Sequence, residues 1–280
     1  MGWHCPPAVR MANQSLLKQV PATSEVPERL VPGTLAWELY EVEHKQRYEW
    51  AAKYCAGQTV LDVACGIGYG SEILRESGAA TVVGVDIQVE AISNGNGHRA
   101  VFANADACKL PFGDRSFDRI VSFETIEHVK DPEALLREFA RVLKPDGICI
   151  CSSPNREFQP YWGNKEVNHF HVSEMSYAEF ESLFTKWFSI SERYSQTHSE
   201  NYVRHLQLLR ELDARLKPIR FSRLLRLEKK VRGWLGRDSL NGLESLPAQL
   251  SRGVAGDYVI SPLTKPANNL LTFVFVGKIK

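Results

Sequence analysis

The sequence predicts an α/β fold built on a mostly parallel sheet, and three observations carry that expectation. Short β-branched runs alternate with helical stretches from Gln58 onward; a buried strand runs directly into a glycine-rich turn; and aspartates close the next two strands. With 280 residues, 44% apolar side chains and 34 Lys+Arg against 33 Asp+Glu, the chain is long enough for one or two domains and is neither disordered nor collagen-like.

The elements follow in order. Residues 1–33 hold five prolines and little periodicity, and read as an arm outside the core. From Thr34 to Cys55 the composition turns helical, with Trp37, Tyr40, His44, Tyr48 and Ala51 spaced to form one largely aromatic face. Candidate strands are Val60–Ala64, Thr81–Asp86, Val101–Ala105, Phe117–Phe123 and Gly147–Ser152, with helices beginning near Gly68, Val89 and Pro132. Asp131-Pro132-Glu133 supplies an N-cap, a first-turn proline and a first-turn acid, and Lys144-Pro145-Asp146-Gly147 stops that helix. Ser176 and Glu179 form a capping box for a helix from Tyr177 to Lys186, before an alternating strand from Trp187 to Tyr194. Two amphipathic stretches around Leu206–Leu216 and Phe221–Trp234 follow, and a strand from Leu270 to Val276 closes the chain. The domain reading is an arm (1–33), a core (34–196), a basic helical insertion or lid (197–262) and the final strand of the core sheet (263–280).

No apolar run reaches the roughly 20 residues of a membrane-spanning helix, and residues 1–10 lack the order of a secretory signal, so a cytoplasmic location is expected. The six cysteines form no C-x-x-C pair and are expected to be free thiols. Residues 201–237 carry 11 Lys+Arg and 3 Asp+Glu, a local balance of +8 in a chain whose net charge is +1. That segment reads as a solvated lid, a site for an anionic acceptor, or a contact with anionic membrane or a lipid-linked glycan. No aromatic-and-basic RNA module accompanies it, which argues against nucleic acid.

The most specific stretch is Leu61-Asp62-Val63-Ala64-Cys65-Gly66-Ile67-Gly68-Tyr69-Gly70, where glycine would let a ligand approach the main chain at the carboxyl edge of the sheet. Asp86 ends the second strand, where a carboxylate can accept from a ribose diol. Asp106-Ala107 follows the third, where a carboxylate can accept from an exocyclic amine. Asp62, inside the first strand, needs a cation or several donors. A nicotinamide dinucleotide would require G-x-G-x-x-G, but this run is G-x-G-x-G with serine at 71.

These motifs, with Leu110-Pro111-Phe112, Ser116-Phe117-Asp118 and Arg141-Val142-Leu143-Lys144-Pro145, resemble the class I S-adenosylmethionine (SAM)-dependent methyltransferases. The resemblance implies a Rossmann-like, seven-stranded, mostly parallel sheet with an antiparallel last strand. It places the turn from Gly66 through Gly68 to Gly70 around the methionine part of SAM, Asp86 on the ribose, and Ile87, Asp106 and Ala107 on the adenine, with Asp62, Ala64 and Phe123 as further cofactor-binding candidates.

On the acceptor side the chain reads Phe123-Glu124-Thr125-Ile126-Glu127-His128. On one helical turn Glu124, Glu127 and His128 would converge, with His171 as a fourth candidate, in a set suited to Mg²⁺ or Mn²⁺. The run is similar to those of metal-assisted small-RNA 3′-end 2′-O-methyltransferases and ubiquinone-pathway O-methyltransferases. Two readings stay open: metal ligation, or a packed loop in which His128 accepts a proton. Together with Glu43-His44-x-x-Arg47-Tyr48, Ser153-Pro154-Asn155 and Phe170-His171-Val172-x-Glu174, the pattern resembles bacterial glycan and polysaccharide methyltransferases. The expectation is O-methylation of a sugar hydroxyl, with His128, His171 and Glu124 handling protons. A phenolic or natural-product acceptor, or a SAM-binding module without catalysis, are the alternatives.

Overall fold

The computed structural model describes residues 35–88, 99–158, 170–204, 208, 256–263 and 271–280. The arm, the helix expected near Val89, and both amphipathic stretches of the basic segment lie outside the described residues, apart from residues 208 and 256–263 and the few at the segment's start.

The elements are α1 (Leu35–Ala51), β1 (Thr59–Val63), α2 (Tyr69–Glu76), β2 (Thr81–Asp86), β3 (Val101–Asn104), β4 (Phe117–Ser122), α3 (Pro132–Val142), β5 (Leu143–Pro154), α4 (Tyr177–Phe184), β6 (Phe188–His198), β7 (Tyr258–Pro262) and β8 (Thr272–Ile279). They form one sheet in the order β3-β2-β1-β4-β5-β8-β6-β7. Strands β3, β2, β1, β4 and β5 are parallel, and β8 runs antiparallel between β5 and β6. This is the expected Rossmann-like sheet with one strand added. Tyr258–Pro262, which the sequence reading placed inside a helical insertion, instead pairs antiparallel with the outer edge of β6, from Tyr194↔Pro262 to His198↔Tyr258. Five residues sharing a segment with strong helical periodicity give too short an alternation to stand out.

Alternation along each strand sorts the core into two layers. Leu61, Val63, Val83, Val85, Ile120, Cys149, Cys151, Phe273 and Phe275 face α3 and α4; Val60, Val82, Val121, Ile150, Val274 and Val276 face α1 and α2. The capping devices are those read from sequence. Asp131 accepts from the Ala134 amide with Pro132 in the first turn, and Ser176 with Glu179 closes a full capping box. Lys144-Pro145-Asp146-Gly147, expected as a turn, is already the start of β5, with a register shift opposite Phe117 to Arg119.

Two motifs that carry the family resemblance are structural. Arg141 donates to the carbonyls of Phe112 (2.8 Å) and Leu110 (3.0 Å) and pairs with Glu138 and Asp114, holding the loop that follows Asp106. Asp118 accepts from the Thr59 amide (3.0 Å) and from Lys144 (2.8 Å), tying β4 to the start of β1. Of the free thiols, Cys55, Cys65, Cys149 and Cys151 are buried and Cys108 is half-buried. No helix among the described residues is long and apolar enough to cross a membrane.

Phe275 is fully buried, stacks on Phe180 at 4.8 Å and meets Phe184 edge-on at 5.6 Å. Phe275→Ala should lower stability by about 3–5 kcal/mol, measured by denaturant unfolding.

Candidate active site

In this doubly wound sheet β1 and β4 are neighbours whose crossovers run in opposite directions, so a crevice opens beyond their carboxyl ends. The chain leaves β1 through Ala64 (φ 60°), Gly66 (φ 57°) and Gly68 (φ 90°), the last being the N-cap of α2. The glycines do different work. A Cβ at Gly66 would meet nothing within 4 Å, so this turn leaves room for a ligand. A Cβ at Gly68 would lie 2.6 Å from the Phe102 ring, and one at Gly70 2.2 Å from the Tyr48 ring. Those two positions make room for the protein's own aromatics, a role that the reading of all three as ligand contacts had not foreseen.

Asp86 closes β2. Its Oδ2 accepts from the Gly66 amide (2.9 Å) and its Oδ1 from the Gln88 amide (3.0 Å), which ties the tip of the glycine turn to the next strand. Ile87, 51% exposed, offers an apolar surface beside it. Asn104, which the sequence reading missed, donates to the Asp86 (3.1 Å) and Ile87 (2.7 Å) carbonyls and so fixes the direction of that strand end. Its only signal was its place at the end of β3. Asp106 accepts from the Cys108 amide (2.8 Å), and Ala107 is half-buried next to it.

Asp62 finds its donors inside the protein. The Tyr48 hydroxyl donates to Oδ1 (3.0 Å) and the Ser71 hydroxyl to Oδ2 (2.6 Å). Burial is the largest influence on this carboxyl and pushes it up to about 7, against the two hydrogen bonds, with Asp86 adding to the rise. Tyr48 meets Tyr69 at 5.8 Å and Phe123 at 5.0 Å, both edge-on, and Trp37 meets Tyr69 at 5.3 Å. The aromatic face of α1 thus covers the glycine turn, and Phe123 is a buried wall of the crevice.

Beyond β4 the expected single helical turn does not form. Glu124 takes a left-handed conformation (φ 48°), and only Ile126–His128 are helical, as one 3₁₀ turn. The Glu124 amide donates to Ser152 Oγ (3.0 Å), whose hydroxyl donates to Glu124 Oε1 (2.7 Å). The residues that converge are Glu127, His128 and His171, one ligand atom of each lying within 4.8 Å of the other two. Glu124 stays outside this set, because its strand-end conformation anchors it on Ser152 instead.

Glu127 is fully buried, and among the described residues neither carboxylate oxygen has a hydrogen-bond partner; His128 Nε2 lies 3.8 Å from Oε1. Burial, reinforced by the charge of Glu124, holds this carboxyl well above the usual range. His128 Nδ1 faces the Phe170 carbonyl (3.2 Å) and His171 Nδ1 faces Glu174 Oε1 (2.5 Å). Both partners accept, so each Nδ1 is placed to donate, and in a neutral ring this leaves the lone pair on Nε2. The rings meet edge-on at 4.8 Å. Ser173 staples the two segments: its amide donates to the Glu127 carbonyl (2.9 Å) and its hydroxyl contacts the Ile126 and Val129 carbonyls (2.9 Å each). A lone serine in an irregular loop carried no sequence signal.

The sheet, with its glycine turn and strand-end acid, has the fold of the class I SAM-dependent methyltransferases, and the comparisons agree with that fold. A methyltransferase-domain family model matches residues 61–151. A Mycolicibacterium smegmatis protein named a probable S-adenosylmethionine-dependent methyltransferase is 32% identical over 192 residues, covering 67% of this chain and 71% of that protein. A Mycobacterium tuberculosis protein of the same description is 33% identical over 159 residues, and the chain spans 57% of its length. Among solved structures, a SAM-dependent methyltransferase of Thermotoga maritima aligns over 86% of this chain and 92% of its own, with TM-score 0.55 and 18% identity, a likeness of fold. The chain belongs to the SAM-dependent methyltransferases, and SAM is its methyl donor.

Two outcomes follow. Asp86→Ala should weaken binding of S-adenosylhomocysteine, the demethylated donor, by at least about tenfold, read by calorimetric titration. For Asp62, a folded pKa raised to about 7 from 3.8 means the native state binds more protons than the unfolded chain between those values. The stability it contributes is therefore complete below about pH 4 and lost as pH rises through about 7. Asp62→Asn should be less stable overall and should flatten that part of the pH profile of thermal unfolding.

Proposed function

We propose that the chain methylates a hydroxyl of a sugar or glycan with help from a divalent cation, Mg²⁺ or Mn²⁺, held by Glu127, His128 and His171. One observation carries this reading: a fully buried carboxyl group without a hydrogen-bond partner among the described residues lies beside two imidazoles whose Nδ1 atoms already face acceptors. An unsatisfied buried acid is costly. Two imidazole nitrogens and a carboxylate oxygen make a donor set that suits such an ion.

When bound, the cation would favour two neighbouring acceptor oxygens, as in a vicinal diol, and ease proton loss from one of them. SAM supplies the methyl group on a sulfonium. The chain's own residues align the acceptor and exclude water. Glu124, oriented by Ser152, is the proton acceptor in this reading. Phe170, 40% exposed and next to His171, offers a ring on which a sugar face can stack. The basic run 201–237 would favour an acceptor carrying phosphate or attached to an anionic lipid, at the cytoplasmic face of a membrane.

The test is methyl transfer to pyranosides with a vicinal diol, set against deoxy or already methylated counterparts, with and without chelator. Activity on the diol alone, abolished by chelator and restored by Mn²⁺ or Mg²⁺, is expected. Glu127→Gln should lower turnover by a factor on the order of 100 while leaving S-adenosylhomocysteine affinity intact. Turnover indifferent to chelator but lost in His128→Ala would replace the cation with a histidine base.

A further inference from the structure

Trp50 near the end of α1, Tyr54 in the 3₁₀ turn that follows it (Ala52–Tyr54) and Tyr194 on β6 form a three-walled box on the α1 side of the sheet, sharing no residue with the crevice. Trp50 meets Tyr54 at 5.4 Å and Tyr194 at 4.7 Å, with interplanar angles of 62° and 69°, so the rings stand as walls and do not stack. The Lys53 ammonium lies over all three of them, with Nζ 4.5 Å from the centroid of Trp50, 4.8 Å from that of Tyr54 and 4.9 Å from that of Tyr194. Each distance is inside the roughly 6 Å reach of a cation–π contact. The Tyr194 hydroxyl donates to Glu192 Oε2 (2.7 Å), which fixes that ring and sets a carboxylate beside the box.

Such walls recognise charge and offer few hydrogen bonds. A primary ammonium carries three N–H donors, yet Lys53 has no hydrogen-bond or ion-pair partner among the described residues, and the rings alone hold it. A quaternary ammonium has the same charge, no donor to satisfy and methyl groups that the ring faces can cover, and it gives up less hydration on entering. The box therefore suits a quaternary ammonium better than the lysine that stands in for one. We propose that Trp50, Tyr54 and Tyr194 bind the quaternary ammonium group of a small ligand, which displaces the Lys53 side chain into solvent. The three ring residues are half-buried and Lys53 is exposed, so the box opens to water on the side from which the lysine enters, and its flexible stem can withdraw. Glu192 adds to the preference for a cation.

This assignment is independent of donor, metal and acceptor, and its test uses the full chain without SAM. Choline is titrated by calorimetry into the wild type and Lys53→Ala, beside ethanolamine, which has a primary ammonium, and dimethylbutanol, the neutral carbon isostere of choline. Lys53→Ala should bind choline with a dissociation constant in the millimolar range, about tenfold tighter than the wild type, and should prefer it at least about tenfold over both counterparts. Adding Tyr194→Leu to Lys53→Ala should abolish that binding while the affinity for S-adenosylhomocysteine, which reports the folded core, stays unchanged. Equal binding of choline and its neutral isostere by Lys53→Ala overturns the proposal. So does a failure of Lys53→Ala to saturate below about 100 mM choline, the outcome for a box that serves only its own lysine. Should the double variant fail to fold, the ratio of choline to isostere in Lys53→Ala still decides.

Discussion

The crevice depends on one buried carboxyl group. Asp62 sits in the central strand with no exposure and joins three elements, since it belongs to β1, the Tyr48 hydroxyl comes from α1 and the Ser71 hydroxyl from α2. A buried acid earns its place only where donors converge on it. Here the donors are the residues that seat α1 over the glycine turn. Tyr48 can reach Asp62 only because residue 70 has no side chain, and the same ring supports Tyr69 and Phe123. The covering helix, the turn and the strand-end wall are therefore one packed unit, in which loosening Asp62 would disturb every surface presented to the donor.

The opposite wall is organised by a polar staple. Ser173 binds three successive parts of the segment 126–129, and the Asn155↔Met175 bridge holds the start of that loop's return against the end of β5. His171 is thereby delivered next to His128 from 43 positions along the chain. The contacts with Phe170 and Glu174 orient both imidazoles through Nδ1. Ile126 and Met175 anchor the same segments in the core, so the polar staple works on an apolar base.

Much of this was legible in sequence because it was local. The glycine turn, the Asp131 cap and the Ser176 capping box are each set by residues within about four positions of one another, where residue type dictates conformation directly. The aromatic spacing on α1 also held, though what it covers was not readable. What failed was long-range or conformational. The helical turn through Glu124 assumed regular geometry across a position that leaves the strand left-handed. Tyr258–Pro262 joins the sheet only because β6 presents an edge to it. Asn104 and Ser173 matter through partners that only the fold brings near, and short polar residues in loops leave no periodic trace.

The backbone itself marks where the fold yields to function. Among the described residues, three non-glycine positions have positive φ, and two of them, Ala64 and Glu124, follow directly on the ends of the neighbouring strands β1 and β4 or one residue beyond. A left-handed L-residue costs roughly 1–2 kcal/mol, and no glycine relieves it at either place. Glu124 is held there by its bonds to Ser152, and Ala64 by the pairing of Cys65 with the Val85 carbonyl (3.0 Å). Such strain persists where surrounding contacts over-determine it and tends to gather at binding sites. At the switch point of this sheet the two left-handed residues stand at the ends of adjacent strands, one leading to the open side of Gly66 and the other to Glu127 and His128, beside His171.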